Sequence, residues 1–387
     1  MAFNPSPEDV AKLNSLSCLA DGSCGSTRES GRKFPAFSRW LPGILWLVVA
    51  AMLGLNPAQA QTPDYTGMVV FGDSLVDVGN TISLFSESQN RTLTGYNPNF
   101  YYNNRFSNGP IWVDDLYSSL GLGNISGLQV NDNANNQNGT DFAWGGSRSG
   151  TGASFVLLAN LQPQVGFYTS QLSAGNPALP APATTLYVIW SGANDVFANV
   201  NNNDPITPDQ VAANISTSIT NLYNAGGRSF LVPNLPPMGL IPAFVNDPVK
   251  SAQATAFVNS YNLLLQNSLD SLSLTLAGID ITQLNANQLF LNMTNNPGEY
   301  GFTNVTQPAY TGDPNGSPPY GSVVSNPDQY LYWDNNHGTV TTNAFIAEAA
   351  LDALSVPEPP TWTLLLGGAL LLTTFDRRTR RLAIRPS

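Results

Sequence analysis

The chain is poor in three residue types that usually carry function. Among 387 residues there is one histidine, His337, and there are two cysteines, Cys18 and Cys24. Any folded domain beyond Cys24 has no disulfide to draw on, so outside the cytoplasm its stability must come from its core. Basic residues are scarce as well, and the formal charge is −11. Between Gln61 and Val356 only Arg91, Arg105, Arg148, Arg228 and Lys250 stand against twenty acidic residues, a formal charge of −15. Such a field repels phosphate backbones, so no nucleic-acid partner is expected and other polyanions are poor partners.

The single imidazole is correspondingly informative. Neutral imidazole accepts and returns a proton near pH 7, and serine hydrolysis needs one of them and no more. His337 closes the run Asp334-Asn335-Asn336-His337. The matching nucleophile candidate is Ser74, in Val69-Val70-Phe71-Gly72-Asp73-Ser74-Leu75, an apolar run ending in a glycine turn. This pattern reads as a buried strand entering a helix, with the serine at the strand's carboxyl end, where ligands collect in open α/β sheets. A helix N-terminus there adds backbone N–H groups suited to a developing oxyanion. Taken alone, an Asp-Ser pair more often only caps a helix. Its company changes that.

Phe71-Gly72-Asp73-Ser74-Leu75-Val76-Asp77-Val78-Gly79-Asn80 resembles the first signature block of the GDSL, or SGNH, esterase/lipase family, and three further blocks follow in the family's order. Phe142-Ala143-Trp144-Gly145-Gly146-Ser147 resembles the second, Gly192-Ala193-Asn194-Asp195 the third, and Asp334-Asn335-Asn336-His337 the last. The resemblance spans Thr66 to Leu354 and includes Val232-Pro233-Asn234-Leu235-Pro236-Pro237 and Tyr300-Gly301-Phe302-Thr303-Asn304. Gly338 stands where the family commonly has proline, a departure expected to loosen the entry to the following helix.

The resemblance implies a Ser74–His337–Asp334 triad, with an oxyanion hole formed by Gly145, Asn194 and the backbone N–H of Ser74. Gly146 is an open alternative to Gly145. Acyl transfer needs a nucleophile, a base, an orienter for that base and donors for the carbonyl oxygen, and these residues fill the roles without metal or organic cofactor.

The chain ends predict where the enzyme works. Residues 1–39 form a polar extension, or an overextended start. Residues 40–60 read as a signal peptide: Trp40 to Leu55 is apolar, Arg32, Lys33 and Arg39 precede it, and Ala58-Gln59-Ala60 follows as a cleavage site. Residues 61–355 are the hydrolase domain. In residues 356–387, Val356-Pro357-Glu358-Pro359, an apolar segment from Thr361 to Phe375, and Arg377, Arg378, Arg380 and Arg381 resemble a PEP-CTERM sorting signal. That resemblance implies an exosortase-type processing partner, transient membrane contact, and export to the surface or medium of a Gram-negative bacterium. A plain C-terminal anchor is the alternative, and the arginines fit it equally.

Apolar runs at Met68–Phe71, Asp141–Trp144, Leu186–Trp190, Ser229–Val232 and Leu274–Ile281 predict five strands. Helix-compatible spacing falls at Ile111–Leu120, Thr207–Tyr223, Val249–Leu272 and Thr341–Leu354, with Thr207-Pro208, Asp209 and Asp247 favourable at N-termini. Asn131–Gly139, Asn199–Pro205 and Gln307–Asp328 read as surface loops. Alternating strands and helices predict an α/β fold with a covered parallel sheet. The family resemblance specifies a flavodoxin-like three-layer α/β/α sandwich with five parallel strands. The functional reading is an exported serine esterase or lipase acting on small-molecule or lipid esters. The alternatives are a polysaccharide O-acetylesterase of the same mechanism, or a non-catalytic surface or matrix binding protein.

Overall fold

A four-stranded parallel sheet in the order β1-β2-β3-β4 forms the centre: β1 is Gly67–Gly72, β2 Thr185–Trp190, β3 Ser229–Pro233 and β4 Asp280–Leu284. The computed structural model describes residues 64–82, 100–128, 139–155, 158–312 and 321–355. The N-terminal extension, signal segment and sorting signal predicted at 1–39, 40–60 and 356–387 lie outside the described residues, as does most of the loop predicted at 131–139. Every residue of β1 and β2 is buried, as expected of apolar strands covered on both faces.

The helices supply the cover. They are α1 (Trp112–Ser119), α2 (Leu161–Ser173), α3 (Ala193–Asn202), α4 (Pro208–Asn224), α5 (Pro248–Thr275), α6 (Ala286–Asn295) and α7 (Val340–Leu354). α2, α4 and α5 pack in sequence as one layer, and α1 pairs with α7 in another. The caps read from sequence are present. Thr207 caps α4 with Gln210 completing a capping box around Pro208, and the Asp247 side chain accepts the N–H groups of Val249 and Lys250.

Three expectations are corrected. The strand predicted at Asp141–Trp144 reduces to an extended segment in which Asp141 makes isolated parallel bridges to Val70 of β1 and to Gly127. It still lies beside β1, because Phe142 N–H donates to Val70 O at 2.8 Å and Trp144 N–H to Gly72 O at 3.2 Å. Counting this segment, the order is the flavodoxin-like 2-1-3-4-5, with the topological switch at the end of β1. The strand predicted at Leu274–Ile281 begins only at Asp280, because α5 runs on to Thr275 and leaves Leu274 88% exposed. The loop predicted at Asn199–Pro205 starts with the last turn of α3, which Asn203 ends in a left-handed conformation.

In the long segment before Asp334, β5 (Asn304–Pro308) pairs in parallel with β6 (Tyr330–Tyr332), and Tyr310 bridges Val323. Tyr101, Phe106, Tyr310 and Trp333 form a second, smaller aromatic cluster there.

Candidate active site

Ser74 sits on the turn leaving β1, and Gly72 explains why the turn can form. Its φ is +150°, and a Cβ at this position would lie 2.0 Å from Trp190 O and 2.8 Å from Val76 Cγ2. Only glycine lets the strand end pass this close to β2. Beyond it, Asp73 Oδ1 accepts the Leu75 N–H at 3.0 Å, while Asp73 O accepts from Val76 and Asp77 N–H at 3.1 Å each. Ser74 is left partly exposed at the carboxyl edge of the sheet, beside the switch point.

Asp334 and His337 lie on the loop between β6 and α7, which Trp333 N–H closes by donating to His337 O at 2.7 Å. The spacing of three has a local cause. Asp334 Oδ1 accepts the backbone N–H groups of Asn336 and His337 at 2.8 and 2.9 Å, a turn that swings the imidazole back onto its own carboxylate. His337 Nδ1 lies 2.7 Å from Asp334 Oδ2 and 2.9 Å from Oδ1, and His337 Nε2 lies 2.8 Å from Ser74 Oγ. Burial alone would raise the Asp334 carboxyl, but the His337 charge and these hydrogen bonds outweigh it and hold the group below its ordinary value. Phe106 lies over the imidazole, with ring centroids 5.1 Å apart.

The entry to α7 is held, not loosened. Gly338 O accepts from Ser107 Oγ at 3.0 Å, and the Thr339 side chain accepts the Thr342 N–H as the cap of α7. A Cβ at Gly338 would meet Thr342 Cγ2 at 2.8 Å, so the small residue fits where proline was expected.

The expected oxyanion donors divide. Asn194, on the first turn of α3, directs Nδ2 to Ser147 O at 3.0 Å and to Asp73 Oδ2 at 3.4 Å, and it lines the cavity with Ser74. The Gly145 N–H donates to the buried Asp77 Oδ2 at 3.0 Å and to Thr81 Oγ1 at 2.7 Å. Gly146 turns the other way, at φ +79°, and also lines the cavity. Among the described residues the N–H groups of Ser74 and Gly146 make no hydrogen bond.

Several supporting residues escaped sequence reasoning. Gln164 of α2, fully buried, accepts the Gly72 N–H at 2.9 Å through Oε1. Its Nε2 donates to Gly72 O at 2.8 Å, Ala159 O at 2.9 Å and Ser147 Oγ at 3.0 Å, clamping the end of β1 to the segment after Gly146. Tyr101, fully buried, donates its hydroxyl to Asp334 Oδ2 at 3.0 Å. Asp77 accepts four backbone N–H groups, from Gly79, Asn80, Thr81 and Gly145. Burial pushes the Asp73 carboxyl up to about 7 and the Asp195 carboxyl up to about 6, in both cases against hydrogen bonds that pull it down.

Ser74, His337, Gly146 and Asn194 open onto one cavity of about 730 Å³. The arrangement presents a hydroxyl, a base, an oriented carboxylate and hydrogen-bond donors around one point, the set that acyl transfer requires.

The GDSL-like Lipase/Acylhydrolase family model matches residues 68–350. The thermolabile hemolysin of Vibrio parahaemolyticus is 25% identical over 309 residues, covering 77% of this chain and 66% of the hemolysin. A GDSL esterase/lipase of Arabidopsis thaliana is 27% identical over 325 residues, covering 77% of this chain and 84% of the plant protein. An acetylxylan esterase from Geobacillus stearothermophilus aligns in structure at a TM-score of 0.40 and 11% identity, over 77% of this chain and 97% of that one. With the family model matched across all four motif blocks, the chain belongs to the GDSL-like lipase/acylhydrolase family of carboxylic ester hydrolases.

Proposed function

We propose that the protein is a serine esterase that hydrolyses carboxylic esters through an acyl-enzyme on Ser74. The observation that carries this reading is the unbroken chain from Ser74 Oγ to His337 Nε2, 2.8 Å, and from His337 Nδ1 to Asp334 Oδ2, 2.7 Å. His337 takes the Ser74 proton as Oγ attacks the ester carbonyl, and Asp334 holds the ring and stabilises the imidazolium. The oxyanion is received by the N–H groups of Ser74 and Gly146 and by Asn194 Nδ2, which exchanges its long 3.4 Å contact to Asp73 Oδ2 for the oxyanion. Gly146 is preferred to Gly145 because the Gly145 N–H already has two acceptors. His337 then passes its proton to the leaving alkoxide. Water, deprotonated by the same base, releases the acid and restores Ser74.

Two variants test this. Ser74→Ala removes turnover of a p-nitrophenyl ester while leaving the thermal transition nearly unchanged, since a partly exposed hydroxyl contributes little to packing. His337→Ala retaining near-normal turnover would overturn the triad.

The proposal extends to place. The segment at 40–60 directs export, and 356–387 acts as a sorting unit cut by an exosortase-type enzyme after brief membrane contact. Its support is the order of Pro357-Glu358-Pro359, an apolar run and terminal arginines. Among the described residues no helix is long and apolar enough to cross a membrane. C-terminal peptide mass analysis in an exosortase-bearing host decides the matter, and an intact C-terminus on most molecules there would reject sorting.

A further inference from the structure

The Asn194 amide has two hydrogens to place. One goes to Ser147 O at 3.0 Å. The other faces Asp73 Oδ2 at 3.4 Å, and it is the one available to an oxyanion. Asp73 stands directly before the nucleophile in the chain and is 1% exposed. Its Oδ1 accepts the Leu75 N–H at 3.0 Å, which leaves Oδ2 turned toward the amide. The strength of that contact depends on a proton. An ionised acceptor forms a hydrogen bond about twice as strong as a neutral one, so a carboxylate at Asp73 holds the Asn194 N–H and a neutral carboxyl releases it. The carboxylate also places a buried negative charge near the point where oxyanion charge develops, and that opposes the reaction in the same direction.

The surroundings bring the neutral form within reach. Among the described residues no lysine or arginine pairs with Asp73. From α3 it faces Asp195, a second buried carboxyl, which accepts the Ser149 N–H at 2.9 Å. From the loop before α7 it faces His337, with Asp334 on the far side of the ring. Tyr261 of α5 is buried beside both acids and donates its hydroxyl to Ser191 O at 3.3 Å, and the two carboxylates oppose its ionisation. On the same turn, Asp77 is occupied by four backbone N–H groups. Arg148 acts on Asp195 and is itself paired with Asp204. Burial therefore outweighs the groups that would ionise Asp73, and the carboxyl titrates at about 7.

We propose that Asp73 is a positioning residue whose proton sets the oxyanion hole: neutral, it frees the Asn194 amide for the oxyanion, and ionised, it holds that amide back. The proposal rests on the Ser74 chemistry and adds a control to it. Turnover is expected to slow as pH rises through the Asp73 titration, opposite in sign to the gain from deprotonating His337. A carboxylate that only fixed the turn through Leu75 would give no such dependence.

The test is kcat for p-nitrophenyl acetate at saturating concentration between about pH 6 and 9, corrected for spontaneous hydrolysis, with circular dichroism showing the fold at each pH. Asp73→Asn stays neutral throughout, and dividing the wild-type kcat by that of the variant cancels the His337 titration common to both. The ratio should fall about tenfold across the range, part of the about 10² to 10³ that complete loss of an oxyanion donor costs. Asn194→Ala, slower at every pH, should not show the fall, because the proton acts through that amide. Where Asp73→Asn fails to fold, the ratio of wild type to Asn194→Ala decides in the same way. Asp195→Asn removes a neighbouring negative charge and should move the midpoint of the fall to lower pH. A ratio that is level or rises, a fall that persists in Asn194→Ala, or a midpoint that Asp195→Asn leaves in place or raises overturns the proposal and leaves the triad standing. Turnover that survives Ser74→Ala sinks the Ser74 reading as well.

Discussion

Replacing Gln164 by leucine removes the clamp at the end of β1 and keeps a buried side chain of similar size. Four hydrogen bonds of 2.8 to 3.0 Å are lost, and the Gly72 N–H is left without its partner inside the core. Gly72 O keeps the Trp144 N–H at 3.2 Å, so the damage falls on one orphaned donor and several weakened acceptors. An unsatisfied buried group costs about 1–3 kcal/mol and each of the three remaining bonds about 1 kcal/mol, so the variant should lose about 4–6 kcal/mol of stability. Gly72 is two residues from Ser74, and Ser147 follows Gly146, so the same loss lets nucleophile and oxyanion donor drift apart. A displacement of about 1 Å at a reacting group costs about 10²-fold in rate. The assay is chemical denaturation, alongside turnover of a p-nitrophenyl ester under denaturant-free conditions where circular dichroism shows the variant folded. The turnover rate should drop by roughly one to two orders of magnitude while KM changes little. Unchanged stability would refute the energetic argument, and reduced stability with unchanged turnover would refute the positioning argument.

Asn194→Ala should slow turnover by about 10² to 10³, the usual cost of one oxyanion donor, with KM nearly preserved in steady-state kinetics. Tyr101→Phe should destabilise the protein by about 1.5–3 kcal/mol through loss of a hydrogen bond to a buried carboxylate. Because that bond exists before and during the reaction, turnover should slow less than tenfold, and comparison of urea midpoints with turnover rates checks the split. Folded Asp73 titrates at about 7, against an ordinary value of 3.8. Between those values the native state holds a proton the unfolded chain has lost, so stability declines as pH rises from about 4 to 7, by on the order of 4 kcal/mol from this group. Thermal melts from pH 4 to 8 should show this decline, and Asp73→Asn should remove its share while leaving the smaller share of Asp195, whose carboxyl is pushed up to about 6. Asp334 acts oppositely: its depressed carboxyl stabilises the fold above the ordinary carboxylate range, and that contribution is lost as acid titrates it.

What could be read from the sequence was what chemistry constrains. A nucleophile after a strand, a base with its carboxylate three residues earlier, and an amide after a glycine are short patterns with local causes, and the Asp334 turn shows one of them. The supporting shell was hidden because its cause is tertiary. Along α2 the buried positions are Leu161, Gln164, Val165 and Tyr168, a helical stripe with a glutamine in an apolar slot, which blurs the periodicity and conceals the clamp. Tyr101 reaches Asp334 across 233 residues, beyond any local signal. The misplaced start of β4 has the reverse cause. Leu272-Ser273-Leu274-Thr275-Leu276 alternates as a strand would, but α5, already anchored by buried Leu265 and Leu269, carries the chain on as helix to Thr275. That Asp77 takes the Gly145 N–H, the ground for preferring Gly146 in the proposed oxyanion hole, is visible only in the folded loop.

The central claim is that Ser74 carries the acyl group. The protein is treated with a fluorophosphonate, digested and mapped by mass spectrometry. The account predicts one adduct per chain, on the peptide containing Ser74, appearing in step with loss of esterase activity. An adduct on another residue, or activity that persists after complete labelling of Ser74, would contradict it.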